Sequence, residues 1–296
     1  MDKTLRDLTT SEASDMHSNV GAATGTEDPE VAGRRYRFDH LSLGTVLKDM
    51  YFTQRDPGRG DSVPDFDLAT LAGGRFRSAD LTENGPALLV FGSYTCPVTD
   101  NAAPGLNALH GRFGNRVRFV MVSVREAHPG KDAPQPMSLD EKAAHAEQLR
   151  DLHGFDFDVA VDDIDGTFHR AMSPKPNSAY LLGQDGTILF RAPWANDTKA
   201  LATALEAVEA GKLPGRSQSG GVALPMLRFA RDVAPALDRA GSGAWADMWR
   251  VAPPLAPPLA ATAFMLKAFR IRPRKPAGTL RMAEENGSAA EKEKRP

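Results

Sequence analysis

The stretch PALLVFGSYTCPVTD, residues 86–100, decides the fold. Pro86 to Phe91 is an unbroken apolar run bounded by turn residues, too short for a helix, and it reads as a strand buried on both faces. Pro97 suits the first turn of a helix, where a missing N–H costs nothing, and apolar residues recur from there toward Phe113. Between strand and helix stands Cys96, the one cysteine of the 296 residues.

The pattern repeats outward from this turn. VRFVMVSV (117–124) reads as a second buried strand, LDEKAAHAEQLRDL (139–152) as a helix, and FDVAV (157–161) as a third strand. DDIDGTFHRAM continues as a loop and short helix. AYLLG and TILF, joined by Gln184-Asp185-Gly186, form a hairpin, and TKALATALEAVEAG (198–211) is an amphipathic helix ending at glycine. Upstream, GDSVPDFDLATLAGGRFRSADL holds an extended segment and a hairpin turning at Gly73-Gly74. Strands alternating with helices predict an α/β, thioredoxin-like fold: a central mixed, mostly parallel sheet flanked by helices, with a helical and disordered C-terminal extension.

The expected organisation is a disordered tail over 1–35, a helical lead-in over 36–59, the thioredoxin-like domain over 60–211, a linker and helical extension over 212–270, and a disordered charged tail over 271–296. Thirty-six basic and 38 acidic residues give a net charge of −2, so no global field points to nucleic acid. The N-terminus lacks the apolar core of a secretory signal, and the default expectation is a cytoplasmic, reducing setting. The apolar stretch from Val251 to Phe269 carries four prolines in its first half, which argues against a spanning helix. A peripheral membrane contact through residues 251–275, apolar and then basic, is the minority alternative to a helix packed on the core.

A single cysteine excludes an internal disulfide and any multi-cysteine zinc site; no metal or bound cofactor is expected. In an α/β sheet the loops leaving the carboxyl ends of parallel strands line the ligand crevice. A thiolate at Cys96 would face unpaired N–H groups and the positive end of a helix dipole, so its pKa is expected below the free value of about 8.5. Thr95 and Thr99 add hydroxyls close by, and the competing reading is an inert buried thiol. Glu126 and His128, in REAHPG, leave the next strand at the same sheet edge, where an imidazole could manage a proton and a carboxylate orient it. Pro176 stands before a strand, where this fold often uses a cis-proline to wall the site. Asp162, Asp163 and Asp165 lack the spacing of a calcium loop and read as an acidic turn.

FGSYTCP, followed by VRFVMVSVREAHPG, resembles the iodothyronine deiodinase family. VAVDDIDG, PKPNSAYLL and APWANDTKALATALEAV continue the resemblance in order, over roughly residues 60–210. The segment GDSVPDFDLATLAGG is shared more widely among peroxiredoxin-like proteins. The resemblance implies that Cys96 stands at the catalytic selenocysteine or cysteine, Glu126 and His128 at an acid and a histidine after the second strand, and His145 near a further histidine. It implies a cysteine in place of selenium, and Tyr94 where some members carry an auxiliary cysteine.

The expected function is therefore a thiol-dependent oxidoreductase in which Cys96, attended by His128 and Glu126, attacks a small electrophilic substrate. Thr95, Thr99, Pro97, Pro176 and His145 would support it. An external thiol, such as glutathione, thioredoxin or a dithiol, would restore the sulfur. A one-cysteine peroxiredoxin-like peroxidase is the alternative, though the usual Pro-x-x-x-Thr-x-x-Cys spacing is missing. A non-enzymatic sensor or binding module is the third reading, and a homodimer is left open.

Overall fold

The computed structural model describes residues 29–50, 52–215 and 223–268. Two helices, α1 (Pro29–Tyr36) and α2 (Leu43–Asp49), lead into the hairpin β1 (Asp67–Thr70) and β2 (Arg75–Arg77). A short helix, α3 (Leu81–Asn84), precedes β3 (Ala87–Gly92), α4 (Pro97–Phe113), β4 (Arg118–Ser123), α5 (Leu139–His153) and β5 (Asp158–Val161). Then come α6 (Thr167–Ala171), the hairpin β6 (Ala179–Leu182) and β7 (Ile188–Ala192), and α7 (Thr198–Glu209). Three further helices close the described chain: α8 (Ala223–Ala240), α9 (Ser242–Val251) and α10 (Ala256–Ala268).

The strands form one sheet in the order β2-β1-β5-β4-β3-β6-β7. Parallel pairing is confined to β5-β4-β3 at the centre, and antiparallel hairpins complete both edges. The continuous apolar runs have a direct cause, because both faces of these strands are covered. Leu88 and Val90 join Phe119 and Met121 beneath α4, α5 and α7, while Leu89 and Phe91 join Val120 and Val122 in a second core with Phe76, Phe168 and Tyr180. A strand with no solvent face has no reason to alternate. This is the thioredoxin-like α/β architecture that the alternating elements predict.

Register fixes where the chemistry can sit. Gly92 pairs with Ser123 and Ser123 with Val161, so β3, β4 and β5 end level. The loops starting at Ser93, Val124 and Asp162 therefore open on one edge.

Most of the N-terminal tail expected over 1–35 lies outside the described residues, but its last part forms α1. The difference has an anchor. Tyr36 is buried, donates from its hydroxyl to His169 Nδ1 at 2.8 Å, and accepts there from the Arg125 amide at 3.1 Å. Arg125 also donates to the Tyr36 carbonyl at 2.9 Å and pairs with Asp49 at 3.3 Å, tying both leading helices to the β4 loop. The charged tail over 271–296 lies outside the described residues.

Candidate functional site

Cys96 is the N-cap of α4, with β-region dihedrals (φ −90°, ψ 113°), and Pro97 begins the helix. The turn is held by the Cys96 amide donating to the Ser93 carbonyl at 3.2 Å and by the Asp100 amide donating to the Cys96 carbonyl at 3.1 Å. The Thr99 hydroxyl and the backbone N–H groups of Val98 and Thr99 reach the sulfur and favour its anion.

The net effect is the reverse of the expectation. Cys96 is 1 % exposed, packed with Val98, Ala127, Trp194 and the half-buried Met50, and burial pushes its thiol up from 9.0 to about 11. Desolvation outweighs the helix start, and the Asp100 charge raises the value further. The thiolate expected near neutral pH is replaced by a protonated thiol.

Glu126 is the hub of the neighbouring loop. It is 1 % exposed, and its Oε2 accepts from the Thr95 amide at 2.8 Å and from the Thr95 hydroxyl at 2.7 Å. Its Oε1 meets His145 Nδ1 at 2.8 Å. The same Thr95 oxygen accepts from the His128 amide at 3.1 Å, and Ser93 Oγ accepts from the Ala127 amide at 3.1 Å. Gln135 closes the loop from behind: its Oε1 accepts from the Glu126 amide at 2.9 Å and its Nε2 donates to the Glu126 carbonyl at 2.8 Å. Thr95, Glu126 and His145 thus form one chain of hydrogen bonds locking the β3–α4 turn to the β4–α5 loop.

His128 is joined to this network through its backbone. Burial drives its imidazole down to about 4, against the pull of Asp247 and Glu126, so the ring is neutral at pH 7. Moving a proton from a thiol near 11 to an imidazole near 4 spans about seven pH units, on the order of 10 kcal/mol. A Cys96 thiolate–His128 imidazolium pair is therefore not the resting state.

Pro176 lies beside Asn177, which is buried and donates through Nδ2 to the Phe91 carbonyl at 3.0 Å and to Thr99 Oγ1 at 3.1 Å. Asn177 so ties the segment before β6 to the hydroxyl that touches the sulfur, a link with no signal in residue spacing. Asp162 caps α6, accepting from the His169 amide at 2.9 Å, and Asp163 accepts from the Thr167 amide at 3.0 Å. Both carboxylates are thus occupied as caps.

Sequence reasoning missed Arg239, at the end of α8. Its Nε donates to the Tyr94 carbonyl at 2.8 Å, its guanidinium binds both oxygens of Asp100 at 2.8 Å, and it lies 4.9 Å from the Tyr94 ring centre. His153 Nε2 meets the same carboxylate at 3.0 Å. One residue further on, the Ala240 carbonyl accepts from the Asp132 amide at 2.9 Å, and a side chain at Gly130 would run into it. Gly241, at φ 96°, then turns the chain into α9. The extension thus contacts both the loop that carries Cys96 and the loop that follows His128.

Residues 59–190 match the model of the AhpC/TSA family. Among curated proteins nothing matches the chain. Solved structures similar to it include an uncharacterized conserved protein from Geobacillus kaustophilus, at 17 % identity over 54 % of this chain and 87 % of that one, with a TM-score of 0.45. A putative thiol:disulfide interchange protein DsbE from Chlorobium tepidum is 21 % identical over 51 % and 98 %, with a TM-score of 0.41. Peroxidoxin BcpB from Mycobacterium tuberculosis is 20 % identical over 52 % and 97 %, with a TM-score of 0.39.

Proposed function

We propose that this protein is a one-cysteine thiol oxidoreductase that reduces an apolar, polarisable electrophile, with a deiodinase-like reductive dehalogenation as the specific reaction. The observation that carries the reading is the setting of Cys96. Cys96 stands at the N-cap position of α4, the Thr99 hydroxyl favours its anion, and the side chain is walled by Val98, Ala127, Trp194 and Met50. Such a wall suits an aryl halide better than a peroxide, whose oxygens need hydrogen-bond donors and gain from a nearby cation.

In the first step the Cys96 thiolate takes the iodine of an aryl iodide as the carbon–iodine bond breaks. The departing carbon takes up a proton, giving the arene and a sulfenyl iodide. An external thiol then displaces iodide and forms a mixed disulfide, releasing a proton. A second external thiol regenerates Cys96 and leaves as an oxidised disulfide. Glu126, Thr95 and His145 would hold the loop geometry, and the neutral His128 ring would act as a weak base.

The family match of residues 59–190 favours a second reading, in which a peroxide converts Cys96 to a sulfenic acid. The test uses the full chain with dithiothreitol, supplying an iodophenol or hydrogen peroxide in separate assays, beside Cys96→Ser. Iodide release that Cys96→Ser abolishes is expected. Rapid loss of the free thiol with stoichiometric peroxide and no iodide release would move the assignment to a peroxidase. Turnover of neither substrate would overturn the enzymatic reading in favour of a sensor or binding module.

A further inference from the structure

Helix α10 breaks the ordinary rule for a helix on a protein surface. Pro257, Pro258, Ala261, Phe264 and Met265 are all exposed, and at 100° per residue they fall within an arc of about 120° on one side of the helix. A surface helix normally turns charged or polar residues to that side. Here none of the five is polar, and Phe264 and Met265 are 71 % and 51 % exposed. The opposite side is already used: Leu259 packs on Val233, Leu237, Ala240 and Ala244 of the α8–α9 pair. Trp249 and Leu255, 48 % and 55 % exposed, add apolar surface just upstream.

The charge around this stripe is one-sided. From Val251 to Ala283 there is no aspartate or glutamate, while Lys267, Arg270, Arg272, Arg274, Lys275 and Arg281 are basic, in a chain whose net charge is −2. A bare apolar face followed directly by a basic run is the pairing that an anionic bilayer recognises: side chains enter the boundary of the acyl chains while cations meet lipid phosphates.

We propose that the exposed face of α10 docks this protein on an anionic membrane surface, with Phe264 and Met265 as the inserted side chains. The contact is peripheral, since no helix among the described residues is long and apolar enough to cross a bilayer. Nucleic acid would engage the cations and leave the apolar stripe in water. The inference is independent of the reaction at Cys96.

The test sediments the full chain with sucrose-loaded vesicles of phosphatidylcholine, with and without phosphatidylglycerol, at low and high salt. Binding is expected only with phosphatidylglycerol and is expected to weaken at high salt. A Phe264→Asp, Met265→Asp double variant should lose about tenfold or more in partitioning, as should a variant with Arg272, Arg274 and Lys275 changed to Glu. The second variant lies beyond α10, so it reports on charge even if the first disturbs the helix. Circular dichroism checks that both remain folded. Equal binding to both vesicle types, or full binding by both variants, overturns the proposal. So does a light-scattering mass of two copies that falls to one in the Phe264 variant without any vesicle binding, which assigns the face to a dimer.

Discussion

At Cys96 two opposing effects meet on one sulfur. The helix start, the Thr99 hydroxyl and two amides favour the anion, and loss of water disfavours it more, leaving the thiol near 11. Thiolate at pH 7 then amounts to about one part in ten thousand, so alkylation by iodoacetamide should be slow there and accelerate about tenfold per pH unit. An ultraviolet titration of the thiolate with a midpoint at or below neutrality would refute this. The linkage has a definite sign: the folded value lies above the unfolded one, so the stabilisation is complete below about pH 9 and is lost as pH rises toward 11. His128 has the opposite sign. Its folded value, about 4, lies below 6.5, so the neutral ring contributes stability above pH 6.5 that is lost as pH falls to 4, on the order of 3 kcal/mol. Asp49, raised to about 6 by burial, gains in the same window and offsets part of that loss. His128→Gln should therefore lose less stability than the parent between pH 7.5 and 4.5, read from urea midpoints; equal losses would show that the imidazole is already solvated.

The elements meet at the site through buried polar atoms more than through apolar contact. Glu126 receives Thr95 twice and His145 once, and these bonds hold the turn after β3 against the loop after β4. Glu126→Gln keeps the size but turns one acceptor into an amide donor facing another donor. It should cost about 2–4 kcal/mol in denaturant unfolding, whereas a loss below about 0.5 kcal/mol would mean that water already replaces the carboxylate. Much of this level was legible in the sequence. The strands were readable because PALLVF and VRFVMVSV lack alternation, and the turn because Pro97 follows Cys96. The shared edge of Cys96, Glu126 and His128 followed from the order of elements alone. The sign of the Cys96 shift was not legible, because it depends on Trp194 and Met50, which reach the sulfur from elements far away in the chain. Gln135 and Asn177 were missed for a related reason: an amide between two backbone groups leaves no periodic trace.

On the scale of the whole molecule, the C-terminal helices reach back to the turn that carries the cysteine. Composition set the region after residue 211 apart from the α/β part of the chain, yet nothing in it announced that α8 would return to the Cys96 turn. Arg239 does so with its guanidinium on Asp100 and its Nε on the Tyr94 carbonyl, both ends of the seven-residue stretch that contains the cysteine. The partners are 13 % and 10 % exposed, so water screens them little, and His153 holds the carboxylate from the far side. Arg239→Ala would leave Asp100 and the Tyr94 carbonyl short of a donor and free α8 from the turn. A loss of about 1–3 kcal/mol in stability is expected. The more telling readout is chemical. If the extension keeps water from the sulfur, iodoacetamide should alkylate Cys96 at pH 7 about tenfold faster in Arg239→Ala than in the parent, with the thiol titrating at lower pH. An unchanged alkylation rate in a variant whose melting temperature has fallen would mean that Arg239 braces the fold without gating the cysteine. Burial of the thiol would then belong to Val98, Ala127, Trp194 and Met50 alone.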